Sequence, residues 1–129
     1  MRTAISAAVI SHGQILIVRK RKTFILPGGK PEKEEPDEKC LRREFAEELS
    51  GTLIKDLVLY REFEGTAPHE RDLLKCRVYF ASLDGALMGV SSFDSVDDYA
   101  WANRAEIKSY NLSDITGKVV DSLIKDEYL

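Results

Sequence analysis

The chain has 129 residues, 22 acidic and 19 basic side chains, and a net charge of −3. That length suits one domain spanning residues 1–129. With 43 % hydrophobic and 32 % charged residues, the composition buries a core rather than staying disordered. Mild acidity speaks against gripping nucleic acid by bulk charge, and no apolar run approaches the roughly 20 residues of a membrane span.

Residues 4–10 and 15–18 read as strands flanking Ser11-His12-Gly13-Gln14, a hairpin signal. Arg2 is followed by no apolar stretch ending in a small-residue cleavage site, so a cytoplasmic setting is expected. Four bases follow the hairpin, Arg19-Lys20-Arg21-Lys22, then Phe24-Ile25-Leu26, and Pro27-Gly28-Gly29 is read as stopping regular structure. A charged loop runs over residues 30–36. A helix is expected over 37–49, with Pro36 at its edge and Asp37 and Glu38 at the positive end of its dipole. Leu41, Phe45 and Leu49 form its apolar stripe, and Ser50-Gly51 its stop.

The second half is mostly strand. Leu57, Leu59, Arg61 and Phe63 alternate with Val58, Tyr60, Glu62 and Glu64. Cys76, Val78 and Phe80 alternate with Arg77, Tyr79 and Ala81, which puts Cys76 in the core. Asp84-Gly85 is a turn signal, and 97–102 reads as a short strand carrying Trp101. Asn103 with Glu106 forms a capping-box pattern, and Ser113 caps a last helix with Ile115, Val119, Leu123 and Ile124 on one face. Strands separated by two or three helices indicate an α/β or α+β sandwich with a mixed sheet. Neither Cys40 nor Cys76 sits in a C-x-x-C pair, so both are expected as reduced thiols.

The chemistry concentrates after Gly28. At about 100° per residue, Glu44, Glu47 and Glu48 share one sector of the helix beside the apolar stripe. Such like charges oppose helix formation by roughly 0.2–0.5 kcal/mol per pair. Arg43 relieves Glu47 one turn on, whereas Glu44 and Glu48 have no base at four residues' distance. A hard divalent cation would compensate the cluster, since Mg²⁺ prefers oxygen ligands and bridges carboxylates to phosphates. The basic run 19–22 would serve as a phosphate clamp. Together these point to phosphoryl chemistry with metal-activated water; the competing reading is a solvated acidic helix face. The charge balance has the same location. Residues 31–50 hold 8 acids and 4 bases, and the rest of the chain 14 acids and 15 bases.

The spacing from Gly29 to Gly51 resembles the Nudix box: Gly, five residues, Glu, seven residues, Arg-Glu-apolar-any-Glu-Glu-any-Gly-apolar. Gly29, Glu35, Arg43, Glu44, Phe45, Glu47 and Glu48 fit it. Ser50-Gly51 departs from it by displacing the glycine one place, and Glu34 stands where glycine is common. The resemblance implies a small, MutT-like member of the Nudix hydrolase family, an α/β/α sandwich around a mixed sheet. It implies that Glu44, Glu47 and Glu48, with the Gly28 carbonyl, hold Mg²⁺ (Mn²⁺ as a substitute), and that Glu35 and Arg43 pair to fix the loop. Glu44 or a late acid (Asp94, Asp97 or Asp98, with Asp98 preferred) would assist the attacking water. Arg19, Arg21, Gly29 and Lys30 would bind substrate.

The implied reaction is hydrolysis of a diphosphate bond in a nucleoside diphosphate linked to another group, with a nucleoside triphosphate placed first. ADP-ribose, nucleotide sugars and dinucleoside polyphosphates are the alternatives, Pro68 being a loose match to an ADP-ribose marker. A catalytically silent module binding a nucleotide or a protein is the rival of another class. Removal of a 5′ diphosphate from RNA by gathered bases such as Arg71, Lys75 and Arg77 is a third. Phe24, Phe63, Tyr79 and Phe93 are aromatic candidates for a base platform, Trp101 is assigned to packing, and His12 and His69 to turn and loop. Small nucleotides are the expected partners, no membrane or nucleic acid is expected, and a homodimer stays open.

Overall fold

A computed structural model describes residues 1–67, 72–91 and 95–129. The chain begins with β1 (Arg2–Ser11), β2 (Gln14–Lys20), β3 (Thr23–Ile25) and β4 (Gly28–Gly29), and continues through α1 (Asp37–Glu48), β5 (Leu49–Ser50) and β6 (Ile54–Thr66). Then come β7 (Leu73–Leu83), β8 (Gly89–Val90), β9 (Val96–Asn103), a 3₁₀ turn (Ile107–Ser109) and α2 (Asp114–Lys125). The main sheet runs β3-β2-β1-β7-β6, with β4 added to β1 and β9 to β2. β1 and β7 are parallel, from Arg2 opposite Leu74 to Val9 opposite Ala81, and the other pairs are antiparallel. The sheet is therefore mixed, and the α+β expectation holds.

The two faces of the sheet carry separate cores because side chains alternate along a strand. Ile15, Ile17, Cys76 and Val78 pack under α2 with Ile115, Val119 and Leu123. Ile5, Ala7, Val9, Leu16 and Val18 pack under α1 with Cys40, Leu41, Phe45 and Leu49. Trp101, opposite Leu16, packs half-buried against the second core. Both cysteines are buried and free.

Local signals were realised in detail. His12 and Gly13 take positive φ (52° and 74°) between Ser11 and Gln14, the geometry of a two-residue hairpin turn. Asn103 and Glu106 each accept the other's backbone N–H, at 2.9 and 3.0 Å, and Ser113 Oγ accepts from Thr116 N at 3.2 Å.

The 19–22 run, given no element by the sequence, continues β2 and then turns: Lys20 pairs with Thr23, and Arg21 and Lys22 take φ of 50° and 67°. Two expectations need correction. Gly28-Gly29 does not end regular structure but pairs with Ser6 and Ile5. The alternation proposed for 57–64 fails, since Val58 and Leu59 are both exposed while Leu57, Tyr60 and Phe63 pack inward. The pairing of β6 with β7 slips between Lys55 and Val58 and again between Leu59 and Arg61, and each such bulge resets which face the following residues take.

Candidate active site

Arg43 stands at the centre of the acidic cluster. Its Nε and Nη2 donate to Glu35 Oε2 and Oε1, each at 2.8 Å, and Nη2 also reaches the Lys30 carbonyl at 3.3 Å. Its Nη1 donates to Glu44 at 3.0 Å and Glu47 at 3.3 Å. One guanidinium thus ties the 30–35 loop to the middle of α1 by a two-pronged, charge-assisted contact. Arg43, helped by the Glu32 backbone N–H, holds the Glu35 carboxyl down to about 2. Glu35 in turn pushes Arg43 further above its already high value.

The three helix carboxylates occupy different surroundings. Glu48 is 1 % exposed and accepts the Gly28 N–H at 2.9 Å. It shares the buried stripe with Leu41 and Phe45, where the sequence had placed it beside that stripe; the spacing 41, 45, 48 was the available signal. Glu44 lies over Gly29, so close that a Cβ there would fall 2.4 Å from its carboxyl carbon. Glu47 is the most exposed of the three and faces Arg43. Gly28 fits because its φ is 146° and any Cβ would meet the Ile5 carbonyl oxygen at 2.1 Å. The tie from Gly28 to the helix runs through its amide.

Beside this helix lies a cleft of 380 Å³. Its lining joins the charged side chains of Lys20, Arg21, Lys30 and Glu44 and the backbone of Gly28 and Gly29 to apolar Ala4, Leu74, Cys76, Ile115 and Val119. Ser6, Ser113 and Thr116 add hydroxyls. α2 therefore contributes a wall, a role its capping signal did not disclose. Lys20, read as part of the 19–22 clamp but not singled out with Arg19 and Arg21, lines the cleft with Arg21.

The remaining candidates lie elsewhere or are engaged. Arg19 does not line the cleft; its Nε donates to Asp97 at 2.9 Å, and its Nη1 lies 3.8 Å from Asp98. Asp98, opposite Arg19 on β9, also accepts from Tyr99 N at 2.8 Å and does not line the cleft. Phe24 stacks edge-on against Tyr110 at 5.0 Å, Phe63 neighbours Tyr60 at 6.2 Å, and the Tyr79 hydroxyl donates to Asp37. Lys75 pairs with Glu62, and Arg77 with Asp37. Pro68, His69, Arg71, Phe93 and Asp94 lie outside the described residues.

The NUDIX domain family profile matches residues 1–123. The chain belongs to the NUDIX domain family. As a Nudix hydrolase it acts on nucleoside diphosphate derivatives, small nucleotide substrates, in a family that generally needs a divalent metal. Its fold is similar to the MutT NUDIX hydrolase from Burkholderia pseudomallei, with 24 % identity, 93 % of this chain and 95 % of that one covered, and a TM-score of 0.80. A NUDIX hydrolase from Nitrosomonas europaea gives 14 %, 97 %, 89 % and 0.82. The NUDIX domain of Shewanella oneidensis NrtR, complexed with ADP ribose, gives 16 %, 98 %, 88 % and 0.75. No curated protein sequence matches significantly. No helix among the described residues is long and apolar enough to cross a membrane.

The Nudix donor set fits a hard divalent cation in kind, since Glu44, Glu47 and Glu48 are all carboxylates on one helix. As they stand, no three metal-binding side chains among the described residues converge on one point. Arg43 engages Glu44 and Glu47, and the Gly28 amide engages Glu48.

Proposed function

We propose that this Nudix hydrolase is a nucleoside triphosphate pyrophosphohydrolase, converting its substrate and water to a nucleoside monophosphate and pyrophosphate. The supporting observation is the cleft: three bases, Lys20, Arg21 and Lys30, share with Glu44 and with apolar side chains the lining of one 380 Å³ space. That volume lies near the lower end of the roughly 300–1,000 Å³ of small-molecule sites. Three cations suit a polyphosphate chain, and the apolar side chains and hydroxyls of the lining suit a base and sugar.

Glu44, Glu47 and Glu48, with the Gly28 carbonyl, would hold Mg²⁺, with Mn²⁺ as its substitute. When bound, the ion supplies neutralisation of phosphate oxygens and lowers the pKa of water. Arg21 and Lys30 orient the phosphates, largely by positioning and electrostatics. Glu44, the carboxylate that faces the cleft, takes the proton from the attacking water. Glu35 and Arg43 keep the loop and helix in register. The water oxygen forms the new P–O bond as the bridging P–O bond breaks.

The test is a panel of nucleoside triphosphates, ADP-ribose, nucleotide sugars and dinucleoside polyphosphates with Mg²⁺ or Mn²⁺, read by pyrophosphate and phosphate release. The highest kcat/KM is expected for a nucleoside triphosphate, with pyrophosphate as product. Preference for ADP-ribose or a nucleotide sugar would overturn the substrate, and binding without release under either metal would establish a silent module.

A further inference from the structure

Asp37, in the first turn of α1, does more than favour the helix dipole. Its carboxylate accepts from Arg77 Nε at 2.7 Å, Arg77 Nη2 at 2.8 Å and the Tyr79 hydroxyl at 2.6 Å. Both partners stand on β7, two residues apart and so on one face of the sheet. The cluster is partly buried: the Arg77 bonds lower the Asp37 carboxyl, and burial, with Asp37 beside it, pushes the Tyr79 hydroxyl up to about 12. Arg77 reaches on to Glu62 at 3.8 Å, and Glu62 to Lys75 at 3.7 Å, so the network continues to β6.

The helix is otherwise seated on Cys40, Leu41 and Phe45, and apolar contact is non-directional. Its polar ties to the rest of the chain fall into two kinds. The Glu48 contact to Gly28 consumes a carboxylate assigned above to the ion. Arg43 with Glu35 and the Lys30 carbonyl, Arg42 Nη1 with the Ile54 carbonyl, and Asp37 with Arg77 and Tyr79 consume none. Those of Arg43 go to the neighbouring 30–35 loop, whereas those of Asp37 go to β7 in the sheet. Pro36, at the helix start, makes no side-chain cap.

We propose that Asp37, Arg77 and Tyr79 form a positioning clamp that fixes α1 against β7, so that the three helix carboxylates keep their placement while they serve a divalent cation. A planar guanidinium fork and a hydroxyl converging on one carboxylate set direction as well as distance. α1 is one rigid rod, so a shift at Asp37 is carried to Glu44 and Glu48, about 10 and 16 Å along at a rise of roughly 1.5 Å per residue. The inference rests on the assignment of Glu44, Glu47 and Glu48 to the metal.

The test is Mn²⁺ binding to the intact protein by calorimetry, with thermal melting run in parallel. Variants are Asp37→Asn, Arg77→Lys and Tyr79→Phe, and Tyr60→Phe is a destabilised control, since it loses the Tyr60 bonds to Ser122 and Asp126 away from the cleft. Asp37→Asn and Arg77→Lys should weaken Mn²⁺ binding about tenfold or more. Tyr79→Phe removes one bond of three and keeps the fold, and should weaken binding about threefold, a share of that effect. Arg77→Lys keeps the charge and loses the fork, so wild-type affinity in that variant would overturn the clamp. So would folded variants that all bind as wild type does, or a Tyr60→Phe control that loses as much affinity. A wild type that binds no Mn²⁺ overturns the metal assignment itself, and the clamp with it.

Discussion

Glu35 and Arg43 meet through two parallel hydrogen bonds of 2.8 Å each, from a loop and a helix eight residues apart in the chain. The pair closes the 30–35 loop over α1, and the same guanidinium reaches Glu44 and Glu47. Loop closure and carboxylate placement are therefore one event.

The Glu35 carboxyl lies at about 2 in the folded protein, below its ordinary 4.5. A lowered acid contributes stability that is complete above the unfolded value and vanishes as pH falls through the folded one. Melting temperature should drop more steeply in the wild type than in Glu35→Gln between pH 4.5 and 2. Melting curves at stepped pH check this, and parallel profiles would refute it.

Glu48→Gln keeps an acceptor for the Gly28 N–H and loses the charge. The fold should survive while turnover falls by at least roughly a hundredfold, read by steady-state assay beside circular dichroism. Glu48→Ala leaves a buried N–H unpaired and should cost about 1–3 kcal/mol in denaturant unfolding as well.

The two box glycines should part company. Gly28→Ala places a Cβ on backbone at 2.1 Å with φ at 146°, and should lose about 3 kcal/mol or more by strain and overpacking. The atoms nearest a Cβ in Gly29→Ala belong to the Glu44 side chain and not to backbone, so this variant should lose activity with a far smaller loss of stability. Chemical denaturation and assay of both variants decide it.

Glu34 adopts φ 59°, a conformation costing a non-glycine residue about 1–2 kcal/mol. Glycine there gives back part of that gain in unfolded-state entropy, roughly 0.5–1 kcal/mol. Glu34→Gly should therefore stabilise the protein by up to about 1 kcal/mol, seen as a rise in denaturation midpoint at unchanged slope.

Arg21 lines the cleft, whereas Arg19 is held by Asp97. Arg21→Ala should raise KM about tenfold, the loss of one charge-assisted contact of about 1.4 kcal/mol, and Arg19→Ala should change it less than twofold. Comparable effects from both would place Arg19 in the substrate path.

The hairpin at His12-Gly13, the Asn103–Glu106 box and the Ser113 cap were legible because each rests on residues within four positions of one another. The box spacing was legible for the same reason, since loop and helix are contiguous in sequence. The Arg21-Lys22 turn was not, as neither residue favours positive φ; Asn111 Nδ2 supports it from across the fold, donating to the Lys22 carbonyl at 3.0 Å. The faces of β6 were not, because two bulges move every later side chain.

By itself, then, the sequence determined the class of fold, the family, the helix that bears the carboxylates and the acidic excess over residues 31–50. Only tertiary structure decided which bases and which wall complete the site. Lys20 and Arg21, at the β2–β3 turn, meet Lys30 at one cleft, and α2 reaches the same cleft by packing across β1 and β7. Burial of Glu48 on the Gly28 amide and capture of Asp37 by Arg77 and Tyr79 have the same origin. They join residues 20 to 42 positions apart, and such contacts follow from how the sheet orders its strands, which no local propensity encodes.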